Sequence, residues 1–241
     1  LALAEQLGWS GARVVEATAI GYRIFLAMGE SWEGLLGRGW APSATLGRAT
    51  SAALVGLLRE RDDTVIANAM AIAAITAPTV GVVFKGQLSS AKSLVNGMAT
   101  RAGWEALDLA EAGLTGPMNA LEGTAGFDQM AGGPFLAPDR DAPMLTATDV
   151  SLKAYPTVFM THAAIASALD VAARLRGRLG EIASISVQAP QQVVTMTAAE
   201  PKWQVRTREE AQFSLPVSIA ACLFAGSIGL AELAGERLAA P

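Results

Sequence analysis

Two long stretches of this chain contain no charged side chain, and they limit the possible folds more than any other feature. Residues 65–84 and 211–231 are both long enough to cross a bilayer. Polar residues and prolines interrupt both, among them Asn68 and Pro216, and neither has the flanking Lys/Arg clusters typical of a membrane span. Helices that are apolar on all sides also occupy the centres of large bundles. We therefore predict buried core helices and no membrane association.

The composition agrees with closely packed helices. Hydrophobic residues make up 51% of the 241 residues and aromatic residues only 6%, so that small side chains dominate the apolar part. Small side chains let helix backbones approach each other closely. The net charge is −4, and acidic and basic residues are interspersed without a basic patch. A nucleic-acid partner is therefore not expected.

The first part of the chain is predicted to be helical throughout. Apolar residues recur at helical spacing, and capping residues or glycines mark where helices begin and end. Residues 38–47 are rich in Gly and Pro and are predicted to form a loop. The predicted helices are residues 11–28 after Ser10, a helix ending near 60, residues 64–75 after Asp62 or Asp63, and a helix that follows Ser89 or Ser90, carries Lys92 and runs to about 112 before Gly113.

The second part begins after a segment rich in Gly, Pro and Asp, residues 123–148, which is typical of a domain boundary. A helix is predicted from Pro156 to about 177, and residues 181–189 alternate in the manner of a strand. A capping box of Thr207 and Glu210 predicts a last helix. The predicted fold is mainly α: an all-helical domain over residues 1–145, then the start of a smaller α/β domain over residues 146–241.

Few residues offer the usual catalytic chemistry. The chain has one histidine, His162, and one cysteine, Cys222, so neither a clustered metal site nor an iron–sulfur cluster is expected. The sequence Gly-x-x-x-x-Gly-Lys of phosphate-binding loops does not occur. A single cysteine cannot form an internal disulfide, which fits a cytoplasmic location. The remaining candidates are polar residues in apolar or loop settings: His162 itself, Lys153 and Tyr155 before it, and Lys92 in the first turn of a helix, where a cation opposes the helix dipole.

A series of short motifs gives a resemblance to a known family. The motifs are GQLSSAK (86–92), NG (96–97), RAG (101–103), AGLTGP (112–117), LEGTAGF (121–127), SLKAYP (151–156), HAAI (162–165) and EAQFSLP (210–216). In this order and spacing they resemble the MmgE/PrpD proteins across nearly the whole chain. No single motif is specific, but their ordered sum is.

The resemblance implies a large helical domain with an α/β lid, an active site between them and a homodimeric assembly. It also implies that the chain is a fragment. A front segment with an acidic and histidine-containing motif would precede residue 1, and further lid and helical segments would follow residue 241.

The resemblance further implies cofactor-free chemistry on a small polycarboxylate. Activities of the family include dehydration of 2-methylcitrate, decarboxylation of cis-aconitate and epimerisation of iminodisuccinate. Lys92 matches the family's active-site lysine and His162 a histidine at the lid edge, and both are predicted to be catalytic. The predicted substrate-binding residues are Lys153, Tyr155 and Ser151 in the lid motif, and Arg38 and Ser43 in a loop of the helical domain.

Two departures from the family pattern leave alternatives open. Ala41 stands where the family has a histidine before proline, and Val217 stands where many members have a tyrosine. We expect a lyase of the 2-methylcitrate dehydratase type. The alternatives are an epimerase of an amino-dicarboxylate and a non-catalytic helical dimer that has lost the site.

Overall fold

A computed structural model describes residues 1–29, 32–132, 146–175 and 177–234 of the chain. It divides into two compact units, which are described separately. Unit 1 consists of Leu1–Val83 and Ser93–Ser151, and unit 2 consists of Phe84–Lys92 and Leu152–Pro241. The α-helices of unit 1 are α1 (Ala2–Gln6), α2 (Gly11–Met28), α3 (Trp32–Gly37), α4 (Pro42–Leu58), α5 (Asp63–Ile75), α6 (Ala91–Glu111, whose first two residues belong to unit 2) and α7 (Phe127–Ala131).

Local capping explains where the helices of unit 1 begin. The Ser10 side chain accepts a hydrogen bond from the N–H of Arg13 at 3.3 Å and starts α2, and the Asp62 carboxylate does the same for Val65 at 3.0 Å and starts α5. These predicted helices are confirmed. The predicted loop over residues 38–47 is wrong in its second half, because α4 already begins at Pro42. Proline suits the first helical position, where its missing N–H has no helical partner.

Small side chains let the helices of unit 1 pack closely. Helix α4 contacts both α2 and α5, and its buried residues include Ala49 and Ala52. Gly103 of α6 lies so close to α4 that an added Cβ would stand 2.7 Å from Cβ of Ser51. Phe127 of α7 joins the same core. The expectation of closely packed, alanine-rich helices is met in this unit.

The segment predicted as a loop and domain boundary is only partly described. Helix α7 and a 3₁₀-helix at Ala147–Asp149 occupy its two ends, so the loop prediction is wrong at those residues. A capping box formed by Thr146 and Asp149 starts the 3₁₀-helix. Residues 133–145 lie outside the described residues, and the predicted domain boundary after residue 145 falls at their edge.

Unit 2 is built on two packed helices. Its α-helices are α8 (His162–Leu175), α9 (Gln191–Thr197), α10 (Arg208–Ala211) and α11 (Leu215–Ala225). Helix α8 contacts α11, and Ile165, Ile219 and Cys222 lie in their shared core. The helix predicted from Pro156 therefore begins later, at His162, after a 3₁₀-helix at Phe159–Thr161.

The end of unit 2 contains two helices where one was predicted. The capping box of Thr207 and Glu210 is confirmed, with the N–H of each residue donating to the side chain of the other at 3.2 Å. Helix α10 nevertheless ends at Ala211, and Ser214 caps a second helix, α11, by accepting from the N–H of Val217 at 3.1 Å. The short break between α10 and α11 contains Phe213.

The predicted strand over residues 181–189 is wrong. Leu179–Glu181 forms a 3₁₀-helix, and residues 182–190 follow without strand pairing. A strand needs a second extended segment beside it, and within the described ranges the only isolated bridge joins Trp40 to Val80. Ile185 and Val187 consequently remain 56% and 40% exposed. Residues 191–206, where a second strand was left open, contain α9 and a 3₁₀-helix at Glu200–Lys202.

The prediction of a mainly helical fold is confirmed. Within the residues that the structure describes, no helix is both long enough and apolar enough to cross a membrane. In particular, the uncharged residues 65–84 divide into the end of α5 and a 3₁₀-helix at Gly81–Phe84, and residues 211–231 contain the eleven-residue α11.

Candidate functional site

The predicted catalytic lysine lies over an aromatic ring in unit 2. Lys92 occupies the first turn of α6, where its N–H donates to the carbonyl of Ser89 at 3.1 Å. Its Nζ lies 4.5 Å from the centroid of the buried Phe213 ring. That ring stacks on Phe84, with centroids 6.3 Å apart and planes within 8°. An ammonium over an aromatic face is attracted to the ring electrons, so Phe213 holds Lys92 in an apolar setting without neutralising it.

A second lysine approaches the same ring. Lys202 is only 4% exposed, which is unusual for a lysine. Its Nζ donates a hydrogen bond to the carbonyl of Gly86 at 2.7 Å and lies 5.7 Å from the Phe213 centroid. The carbonyl of Lys202 in turn accepts from the Ser214 hydroxyl at 2.6 Å. The break between α10 and α11 thus contacts Lys202 twice: Ser214 bonds its backbone carbonyl, and the Phe213 ring faces its ammonium.

Burial and the neighbouring charges lower the pKa of Lys92. Burial lowers the pKa of the Lys92 ammonium, and the positive charges of Lys153 and Lys202 lower it further, while the carboxylate of Glu209 opposes them. Burial also lowers the pKa of Lys202, against the opposing charge of Glu210. We call Lys92, Lys153 and Lys202 the lysine cluster. The positive charges of Lys153 and Lys202 thus disfavour the charged form of Lys92, and an anion bound beside it would favour that form again.

His162 stands at the start of α8 between two aromatic rings. The Tyr155 ring meets its imidazole edge-on at 5.1 Å, and the Phe159 ring lies at 5.2 Å. Its Nε2 is buried and makes no hydrogen bond within the described residues. Buried polar atoms nearly always have a partner, so the absence of one distinguishes this nitrogen from other buried polar atoms. The N–H of Val158 donates to the carbonyl of Gln212 at 2.8 Å, which ties the segment carrying His162 to the residue beside Phe213.

The predicted site residues fall into two sets. Four of them belong to unit 2: Lys92, His162, Lys153 and Tyr155. Of these, Lys153 is exposed and Tyr155 is half-buried. The remaining candidates are described within unit 1: an exposed Arg38 beside Gly132, a half-buried Ser43 in the first turn of α4, and an exposed Ser151. Substrate contacts of all seven residues, and a site between the two domains, stay predictions.

Sequence reasoning did not identify Lys202 or Phe213 as site residues. Phe213 appears in the sequence only as part of a motif, and Lys202 lies in a stretch without a clear periodic pattern. Both owe their place to contacts between distant segments, because Lys202 reaches Gly86 across 116 positions. The local signal is the proline before Lys202, which lies within the 3₁₀-helix at Glu200–Lys202.

The two positions that depart from the family pattern have structural roles. Ala41 is fully buried at the start of α4, and its N–H donates to the carbonyl of Thr79 at 2.6 Å. Val217 is half-buried and packs against the core shared by α8 and α11. Neither side chain can transfer a proton, so any acid–base chemistry must use other residues.

Metal ions in proteins are commonly held by clustered His, Cys, Asp and Glu side chains. Within residues 1–29, 32–132, 146–175 and 177–234, no three of them come together as metal ligands would. The sequence prediction of chemistry without a metal stays a prediction.

Comparisons with known proteins agree with the motif order seen in the sequence. The model of the MmgE/PrpD N-terminal domain matches residues 1–137, and that of the MmgE/PrpD C-terminal domain matches residues 155–241. These two matches support a superfamily of the dehydratase and lyase type. The chain belongs to the MmgE/PrpD family. A search of curated proteins finds no match.

Proposed function

We propose that the full-length protein is a cofactor-independent lyase, a hydro-lyase or decarboxylase, that acts on a small polycarboxylate such as 2-methylcitrate. One observation carries the proposal. The Lys92 ammonium is held over Phe213 at 4.5 Å, with a pKa that burial and two neighbouring lysines lower. A lysine in that state can bind a carboxylate and can also exchange a proton closer to neutral pH than an exposed lysine.

The charge distribution supports an anionic substrate. A chain of net charge −4 does not attract a tricarboxylate from a distance. Binding therefore depends on a local group of cations, and the lysine cluster provides one. Of its members, Lys153 is exposed and Lys92 is half-buried, so both can receive a carboxylate, whereas Lys202 is almost fully buried. Arg38 is a further candidate from unit 1.

The proposed reaction removes a proton next to a carboxylate. In a dehydration, the C–H bond breaks, its electron pair forms the new carbon–carbon double bond, and the hydroxyl group on the neighbouring carbon leaves with a proton as water. His162 would take the first proton through its unpartnered Nε2. Protonated Lys92 would stabilise the carboxylate's developing charge and supply the proton to the leaving group.

A substrate panel tests the proposal and separates it from its alternatives. The full-length protein is incubated in D₂O with 2-methylcitrate, cis-aconitate or iminodisuccinate, and the products are followed by ¹H NMR. A lyase would convert the substrate to a new alkene or remove CO₂ from it. An epimerase would instead exchange the α-proton for deuterium without elimination. If none of the three compounds is altered, the non-catalytic alternative, which Ala41 and Val217 favour, takes the place of the proposal.

A further inference from the structure

The loop that precedes Lys92 is fixed by a buried lysine from a distant segment. Lys202 donates from Nζ to the carbonyl of Gly86 at 2.7 Å, and Gly86 has a backbone φ of +58°. Only glycine adopts that conformation without strain. The loop therefore turns at Gly86, is held there by the Lys202 ammonium, and enters α6 five residues later at Ala91.

The ammonium groups of Lys202 and Lys92 both lie near the Phe213 ring. Phe213 has Lys92 Nζ at 4.5 Å and Lys202 Nζ at 5.7 Å from its centroid. The ring is held in place by its stacking on Phe84 and by the Ser214 hydroxyl, which donates to the carbonyl of Lys202. Loop, ring and both lysines thus form one connected structure within unit 2.

We propose that Lys202 is a positioning residue for Lys92, because it fixes both the loop that leads into the first turn of α6 and the ring on which the Lys92 ammonium lies. The inference rests on the proposed function for its catalytic consequence. Lys202 acts on Lys92 in two ways. Its hydrogen bond to Gly86 fixes the loop. Its positive charge adds to burial and to the charge of Lys153 in disfavouring the charged form of Lys92.

The surroundings of the buried Lys202 ammonium compensate its charge. Removing a lysine from water is costly unless its charge finds compensation. Lys202 recovers part of this cost from the Gly86 carbonyl, the Phe213 ring and the charge of Glu210. Glu210 already accepts hydrogen bonds from the N–H groups of Arg206 and Thr207 at 2.6 and 3.2 Å. A lysine serving only to fill space could be replaced by methionine without this cost.

The test uses the full-length protein and four variants, three of them for comparison and one to assign a signal. Lys202→Met removes the charge and the donor, Lys202→Gln removes the charge while keeping a donor, and Lys85→Met removes an exposed lysine of the same loop as the control. The first readout is the titration midpoint of Lys92 by NMR of the lysine side chains, with its signal assigned by loss in Lys92→Met. This readout needs no substrate, so it succeeds or fails independently of the proposed function.

We expect both Lys202 variants to move the Lys92 midpoint upward toward that of an ordinary lysine, and Lys85→Met to leave it in place. On an active substrate, Lys202→Met should lower kcat at least about tenfold with little change in KM, because a displaced catalytic group is felt mainly in the transition state. The basic limb of the pH profile should move to higher pH in parallel. An unchanged Lys92 midpoint in the folded Lys202→Gln variant would overturn the inference, and so would unchanged kcat in Lys202→Met.

Discussion

Lys92 and Phe213 meet as ammonium over aromatic ring, 4.5 Å apart, where the first turn of α6 reaches the break between α10 and α11. The contact places a cation on an apolar surface beside two other lysines. Burial and the charges of these lysines lower the pKa of Lys92, and an anion bound beside it would raise that pKa again.

The first prediction concerns the pH dependence of this contact. The folded-state pKa of Lys92 is lowered, so its charge costs stability below that pKa, and the cost disappears as pH rises toward the unfolded value of about 10.4. Lys92→Met should therefore be within about 1 kcal/mol of the wild type or more stable at pH 7, since the lost cation–π attraction is modest. Denaturant unfolding between pH 7 and 10.4 should show the wild type gaining on the variant as pH rises. A difference that stays constant with pH would contradict the prediction.

The second prediction concerns helix packing in unit 1. A Cβ at Gly103 would collide with α4, 2.7 Å from Cβ of Ser51, so Gly103→Ala should destabilise by about 1–3 kcal/mol. Gly97 lies in the same helix, with no atom within 4 Å of the place its Cβ would take. Gly97→Ala should instead be neutral or stabilise by up to about 1 kcal/mol, because alanine is the better helix former. Thermal unfolding of the two variants compares them directly; equal effects would refute the close packing.

The third prediction concerns ion pairs between the end of α4 and α6. Arg59 bonds Asp108 at 2.7 Å and Glu111 at 3.1 Å, and its side chain is only 19% exposed. Arg59→Met should cost about 1–2 kcal/mol, whereas Arg101→Met, which removes an 82% exposed partner of Glu105, should cost less than about 0.5 kcal/mol.

Acid should reduce the difference between those two variants. The hydrogen bond from Arg61 and the charge of Arg59 hold the pKa of Glu111 below its usual value of 4.5. The contribution of Glu111 is thus present above about pH 4.5 and is lost as pH falls through the lowered pKa. Urea unfolding at pH 7 and pH 3 measures it. If the cost of Arg59→Met is the same at both values, the ion pairs do not account for it.

The fourth prediction concerns the single thiol. Cys222 is fully buried in the core shared by α8 and α11, and burial raises its pKa to about 11. Only about one thiol in a thousand would be ionised at pH 8, and the thiolate is the reactive form. An aromatic disulfide reagent should therefore react with the native protein far more slowly than with the protein unfolded in guanidinium chloride. Equal rates in both states would show that this core is not closed.

Helix starts could be predicted from the sequence because they depend on neighbouring residues. Ser10 and Asp62 cap their helices through the N–H three positions on, so the signal and the structure are local. The strand at residues 181–189 could not be decided in this way, because alternation describes a side-chain pattern and pairing depends on a distant segment.

The site shows the same limit. Lys92 and His162 could be named from motifs, but the ring that holds Lys92 and the lysine that fixes its loop could not. Lys202 is buried, and its ammonium donates a hydrogen bond to a residue 116 positions away. No local pattern in the sequence distinguishes it from an exposed lysine.

The most direct test of the account compares Lys92 with Lys85, a lysine of the loop that precedes α6. Kinetics of full-length Lys92→Met and Lys85→Met are measured on the polycarboxylate that the wild type converts fastest, with His162→Gln as a third variant. We expect Lys92→Met to lower kcat/KM by about 10²–10⁴-fold, His162→Gln to lower kcat more than it raises KM, and Lys85→Met to remain within about twofold of wild type. Wild-type kcat/KM in a folded Lys92→Met variant would contradict the central claim that this lysine forms the catalytic site.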